Sequence, residues 1–233
     1  MTNKKQIVHK PTKKGLSITN LSVQTKDGVT LLKNLSVNFA DNKIYGLIGP
    51  NGSGKSTLVN TIMGHPNLIV TEGKIELDGV NITNYTPDKR AKLGLFLALQ
   101  YPVEITGVSF ADFIKTARAN LPADNRNFLE VLTDLNNDAL AVNFKKFSYE
   151  RDLNAGYSGG EKKKSEILQM LALRPRFALL DEPDSGLDQN SVHALATRLK
   201  AINYPTSLII ISHNDRLLAE LSPDELINIE ELK

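Results

Sequence analysis

Residues 49–57, GPNGSGKST, constrain this chain more than any other stretch. They follow an apolar run, KIYGLI (43–48), and lead into LVNTIM (58–63). A buried strand therefore turns through a glycine-rich loop straight into a helix, the context a phosphate-binding loop needs. The glycines let successive backbone N–H groups turn inward around phosphate oxygens, and the helix N-terminus adds the positive end of its dipole. Gly49, Pro50, Asn51, Gly52, Ser53, Gly54, Lys55, Ser56 and Thr57 are the candidate phosphate-binding residues. Lys55 is expected to reach the terminal phosphates as a compact charge, and Ser56 to offer its hydroxyl to Mg²⁺.

The rest of the chain reads as an alternating α/β pattern around that loop. Strands are expected at 16–24 and 30–39, with Asp27-Gly28 marking a turn between them, and again at 43–49, 73–79, 94–100, 177–181 and 207–212. Helices are expected from Lys55 to about Met63, at 88–93, in pieces within 109–147, at 159–173 (stopped by Pro175) and at 189–202. The C-terminal ELINIEELK reads as strand-like and acidic. The helical block, about 104–160, is expected to form a subdomain on an α/β core that spans 15–233.

Strand ends carry the other candidate groups. FALLDEP (177–183) delivers Asp181, suited to holding Mg²⁺, and then Glu182, placed to polarise an attacking water. His213 follows the buried run SLIIIS, and Gln100 ends GLFLAL in the same way. Parallel α/β sheets bind ligands at such C-terminal ends. The Gln100 amide is expected to touch both the metal and the water. Catalytic candidates are thus Glu182, His213, Gln100 and Lys55; metal candidates are Ser56, Gln100 and Asp181.

A second anion-site pattern, YSGGEKKK, occupies residues 157–164. Together with the P-loop, Gln100, Asp181-Glu182, SGLD (185–188) and His213, it resembles the signature sequence of the ABC ATPases. The resemblance implies an ABC ATPase nucleotide-binding domain: a RecA-like P-loop core with an antiparallel β subdomain and a helical subdomain. It implies an ATPase using ATP and Mg²⁺. It also implies that Ser158, Gly159 and Gly160 close over the ATP of a second chain, with Asp188 reporting across the interface. One P-loop and one signature per chain then require an ATP-dependent head-to-tail homodimer.

The wording of 64–79, 98–110, 156–173 and 181–188 is similar to the SufC group of that family, which serves iron–sulfur cluster assembly. QYPVEI followed by GVS after Gln100 is the most specific string, supported by Glu161 in the signature and Asp184 before SGLD. This resemblance implies SufB/SufD-type scaffold proteins as partners. The alternative it leaves is the ATP-binding subunit of a transporter acting with a membrane protein in trans. Lys163 is expected to pair with Glu182 in an open monomer, and Lys162 and Lys164 to be solvated helix charges. SVQTKDGV (22–29) holds no aromatic residue to stack on adenine.

Charge and composition narrow the classes further. Net charge is +2, so nothing global calls for nucleic acid. Residues 1–14 hold five lysines and no acid, which leaves 23 basic against 26 acidic groups in 15–233. The first 14 residues are read as a flexible basic tail. The chain has no cysteine, hence no thiolate for a cluster and no disulfides. LGLFLAL (93–99) and SLIII (207–211) fall far short of a membrane span, and no apolar stretch follows the N-terminal lysines. A cytoplasmic protein without direct membrane insertion is expected.

Overall fold

The computed structural model describes residues 14–122, 124–213 and 215–232. The basic tail, apart from Lys14, lies outside the described residues. In chain order the elements are β1 (Leu16–Thr25), β2 (Thr30–Phe39), β3 (Ile44–Ile48), α1 (Lys55–Met63), β4 (Leu68–Leu77), β5 (Val80–Asn81), α2 (Pro87–Lys92), β6 (Leu95–Ala98), β7 (Ile105–Ser109), α3 (Phe110–Ala119) and α4 (Phe128–Ala141). They continue with β8 (Asp152–Leu153), α5 (Gly159–Leu173), β9 (Phe177–Asp181), α6 (Gln189–Lys200), β10 (Ser207–Ile211), α7 (Asp215–Leu221), β11 (Glu225–Asn228) and a 3₁₀ turn, Ile229–Leu232.

A five-stranded sheet in the order β11-β3-β10-β9-β6 forms the centre, and every neighbouring pair in it is parallel. The inner strands β9 and β10 are buried along their whole length, which is why they read as unbroken apolar runs. Alternation along β9 divides the interior. Phe177 and Leu179 pack with α1 and the antiparallel sheet β2-β1-β4-β5, whereas Ala178 and Leu180 pack with residues of α3, α4, α5, α6 and α7.

Some boundaries differ from those the sequence suggests. β4 starts at Leu68, five residues early, because it follows β1 through a bulge at Gly73, where φ is 80° and the alternation breaks. The C-terminus is strand only over Glu225–Asn228 and then tightens into the 3₁₀ turn. α7 had no counterpart in the sequence reading. Its seven residues sit on an interior formed by Leu217, Leu218 and Leu221.

Arg90 anchors the helix that follows the P-loop. It is buried, and its guanidinium donates to Thr61 O (2.8 Å), Ile62 O (2.7 Å), Thr83 O (2.6 Å) and Tyr85 O (2.9 Å). Two of these carbonyls belong to the last turn of α1, beyond the reach of the regular helix ladder, and Thr61 O also accepts from the C-cap Gly64 N at 3.0 Å. Burial pulls the Arg90 pKa down to about 10, still far above neutrality. Arg90→Ala would leave buried carbonyls unpaired and is expected to cost on the order of 3 kcal/mol, read as a lower urea midpoint.

Candidate functional site

Parallel strands end on one edge, and register decides which residues meet there. Ile211 pairs with Asp181 on one side and Leu47 on the other, while Ala98 pairs with Leu180. Two residues beyond Ala98 and Leu180 stand Gln100 and Glu182. Gln100 Nε2 donates to Glu182 Oε1 at 3.2 Å, and His213 Nε2 lies 3.4 Å from the same oxygen. Glu182 adopts φ 50°, a left-handed conformation that costs a non-glycine residue roughly 1 kcal/mol or more. Its N–H is held by Ile211 O at 2.9 Å. That turn swings the carboxylate away from the path of β9 and between Gln100 and His213.

The glycine loop leaves β3 at Ile48 and enters α1 at Lys55. Gly54 is the N-cap with φ 104°, and no side chain caps the helix, so its first N–H groups are open to an anion. Gly52, with φ 76°, has nothing within 4 Å of where a Cβ would stand, and Ser53 Oγ is buried without a partner. The loop thus offers backbone donors, a spare hydroxyl and room. Lys55 Nζ is folded onto the loop itself, donating to Gly49 O (2.8 Å) and Pro50 O (2.9 Å). Burial lowers its pKa, and the charges of Asp181 and Glu182 oppose that shift.

Ser56 Oγ donates to Asp181 Oδ1 at 3.2 Å. Burial pushes the Asp181 carboxyl up, with Glu182 adding to the shift, against the Ser56 bond and the charges of Lys163 and Lys55. A divalent cation would relieve that cost. Mg²⁺ takes one or two protein oxygens and completes its shell with phosphates and water, and Ser56 with Asp181 fits that donor set.

The signature segment opens α5. Ser158 and Glu161 form a capping box: Ser158 Oγ accepts from Glu161 N (3.4 Å), and Glu161 Oε2 accepts from Ser158 N (2.8 Å). That backbone bond holds the Glu161 carboxyl below its usual range. The S-x-x-E spacing was visible in the sequence and accounts for Glu161 as a helix cap. A Cβ on Gly160 would stand 2.8 Å from Gly186 O, so the signature backbone lies directly on the 185–188 turn. Asp188 caps α6 by accepting from Ser191 N at 2.8 Å. Asp184 accepts from Ser212 Oγ at 2.9 Å, which ties the same turn to the residue before His213.

The ABC transporter family pattern matches residues 32–185. A Streptococcus pyogenes serotype M3 relative, described as a probable ABC transporter ATP-binding protein, is 44% identical over 215 residues, covering 90% of this chain and 82% of its own. The chain belongs to the ABC ATPase family. A ycf16 protein of Cyanidium caldarium, described as a probable ATP-dependent transporter, is 39% identical over 91% of this chain and 85% of its own. Among solved structures, the ATP-binding subunit of an ABC transporter superposes with TM-score 0.76 at 20% identity, covering 92% of this chain and 85% of that one. A dimeric bacterial ABC transporter cassette gives TM-score 0.75 at 19% identity, covering 92% and 94%. These two show the fold.

As an ABC ATPase the chain hydrolyses ATP with Mg²⁺. Beside its P-loop helix lies a cleft of about 610 Å³ lined by Thr25, Lys26, Ser56, Thr57, Asn60 and His65 among others. No Phe, Tyr or Trp is among its described lining residues, in keeping with the sequence. The expected Lys163–Glu182 pair is not what this ABC ATPase shows. Lys163 is buried, and its ammonium is satisfied by two carbonyls, Leu99 O (2.7 Å) and Asp181 O (3.0 Å). Lys164 is no free surface charge either, donating to Asn143 O (3.0 Å) and Ser191 Oγ (2.8 Å). Lys162 pairs with Glu104 at 2.6 Å. Among the described residues no helix is long and apolar enough to cross a membrane.

Proposed function

We propose that this ABC ATPase acts as an ATP-bound head-to-tail pair that drives shape change in a soluble SufB/SufD-type scaffold during iron–sulfur cluster assembly. The observation that carries the hydrolytic part is the convergence of Gln100 and His213 on one oxygen of Glu182, beside the Ser56–Asp181 contact. Glu182 accepts a proton from the attacking water, which makes that water a better nucleophile toward the γ-phosphate. Gln100 and His213 hold the carboxylate in place. Lys55 leaves the carbonyls of Gly49 and Pro50 and neutralises phosphate charge on the leaving and transferred groups. Mg²⁺ would be held by Ser56 and Asp181, with Gln100 as a further candidate ligand, and would supply additional charge neutralisation. Ser158, Gly159 and Gly160 serve the ATP of the other chain, and Asp188 sits at that interface. A dimeric cassette of the same fold supports this pairing.

The cluster-assembly role is supported by the local wording of 98–110 and 156–173. A transporter subunit is the second reading, favoured by the names of the relatives. Partner capture separates them. Tagged chain is expected to bring down soluble scaffold proteins from cytosol, and adding scaffold should raise a slow basal ATPase, because tethering two copies raises their effective concentration. Recovery with an integral membrane protein from detergent extracts, without stimulation by scaffold, would favour the transporter reading.

A further inference from the structure

Strand β6 stops pairing with β9 at Ala98, one residue before Leu99 and two before Gln100. Side chains of α5 take over from the ladder at this point. Glu166 Oε1 accepts from Leu99 N at 3.0 Å, and Lys163 Nζ donates to Leu99 O at 2.7 Å. The same ammonium donates to Asp181 O at 3.0 Å. The carbonyls of Leu99 and Asp181 belong to the peptide groups that lead into Gln100 and Glu182. Lys163 therefore fixes both peptide planes that lead into the Gln100–Glu182 contact, and Glu166, three residues on along the same face of α5, fixes the Ala98–Leu99 plane just before them, so that Leu99 is held on both sides.

Packing alone does not call for this arrangement. Glu166 is 6% exposed and Lys163 4%, and Glu166 Oε2 is buried with no hydrogen bond. Burial raises the Glu166 pKa to about 7, against the Leu99 bond and the Lys163 charge. Apolar residues of similar volume commonly match or exceed the stability of such buried charged groups. The chain instead keeps a partly unsatisfied carboxyl where β6 ends beside Gln100.

We propose that Glu166, with Lys163, is a positioning residue for hydrolysis: through the Leu99 backbone it sets Gln100 against Glu182 and joins the signature helix to that contact. This rests on the roles proposed above for Gln100 and Glu182. Glu166→Leu fills the space without an acceptor, whereas Glu166→Gln keeps the oxygen that Leu99 N–H needs. In the full chain, with melting temperature confirming folding, Glu166→Leu should lower kcat about tenfold or more while KM for ATP stays within about twofold. Glu166→Gln should recover kcat to within about threefold of the parent, since the acceptor is restored. An unaltered kcat in Glu166→Leu, a loss in Glu166→Gln as deep as in Glu166→Leu, or a main effect on KM would overturn the proposal. Glu182→Gln, assayed alongside, separates the two levels. Parental activity in Glu182→Gln would remove both readings, whereas its inactivity beside a fully active Glu166→Leu would remove the positioning role alone.

Discussion

Glu182→Gln is expected to bind ATP normally and hydrolyse it about 10²–10⁴-fold more slowly, the usual consequence of losing a general base, the role proposed for Glu182. The geometry makes this a clean substitution. The left-handed turn at residue 182 is held by the backbone bond to Ile211 O, which the mutation leaves in place. The glutamine carbonyl can still accept from Gln100 Nε2, so the side chain keeps its position and loses only its basicity. The carboxylate also adds to the electrostatic cost of ionising Asp181, and its neutralisation removes that cost. If hydrolysis is what separates the two chains, blocking it should trap them together. Size-exclusion chromatography with light scattering should show a dimer in the presence of ATP and Mg²⁺. A mutant that binds ATP yet stays monomeric under those conditions would contradict the sandwich arrangement.

The residues named from the sequence alone lie at strand ends because their strands are parallel and buried on both faces. Such strands are continuous apolar runs, so the first polar residues after each run mark the strand ends where parallel sheets bind ligands, as with Asp181, Gln100 and the pair Ser212-His213. That logic needs no tertiary information. What it cannot supply is register. The contact between Gln100 and Glu182 follows from Ala98 facing Leu180, and one residue of slip would break it. Lys163 shows a second limit. A lysine in a charged run reads as solvated, and only the end of the β6 ladder, which leaves Leu99 O unpaired by a strand, explains why an ammonium is buried there. Bulges hid the start of β4 for a related reason, since an extra residue inverts the alternation that marks a strand.

Lys55→Ala and Ser158→Arg should both abolish hydrolysis, for different reasons that a binding assay separates. Lys55 is the one charged residue of the 49–57 loop, proposed above to neutralise phosphate charge, and it is already bent over the loop by Gly49 O and Pro50 O. Lys55→Ala is expected to weaken monomer ATP affinity by about 100-fold, roughly 2.7 kcal/mol. Ser158 lies at the head of α5, where its bonds are local and go to Glu161 and Lys162. Ser158→Arg should therefore lower stability by only about 1 kcal/mol, the loss of an N-cap, and leave monomer affinity for ATP near the parental value. Its hydrolysis should nevertheless vanish, because a bulky cation would stand where the partner's phosphates must fit. Mixing the two variants provides the decisive comparison. In a mixed dimer the intact P-loop of the Ser158→Arg chain faces the intact signature of the Lys55→Ala chain, so one complete site is rebuilt and activity should return in part. A signature that worked within its own chain would give no complementation, and Ser158→Arg would then lose monomer ATP affinity as Lys55→Ala does.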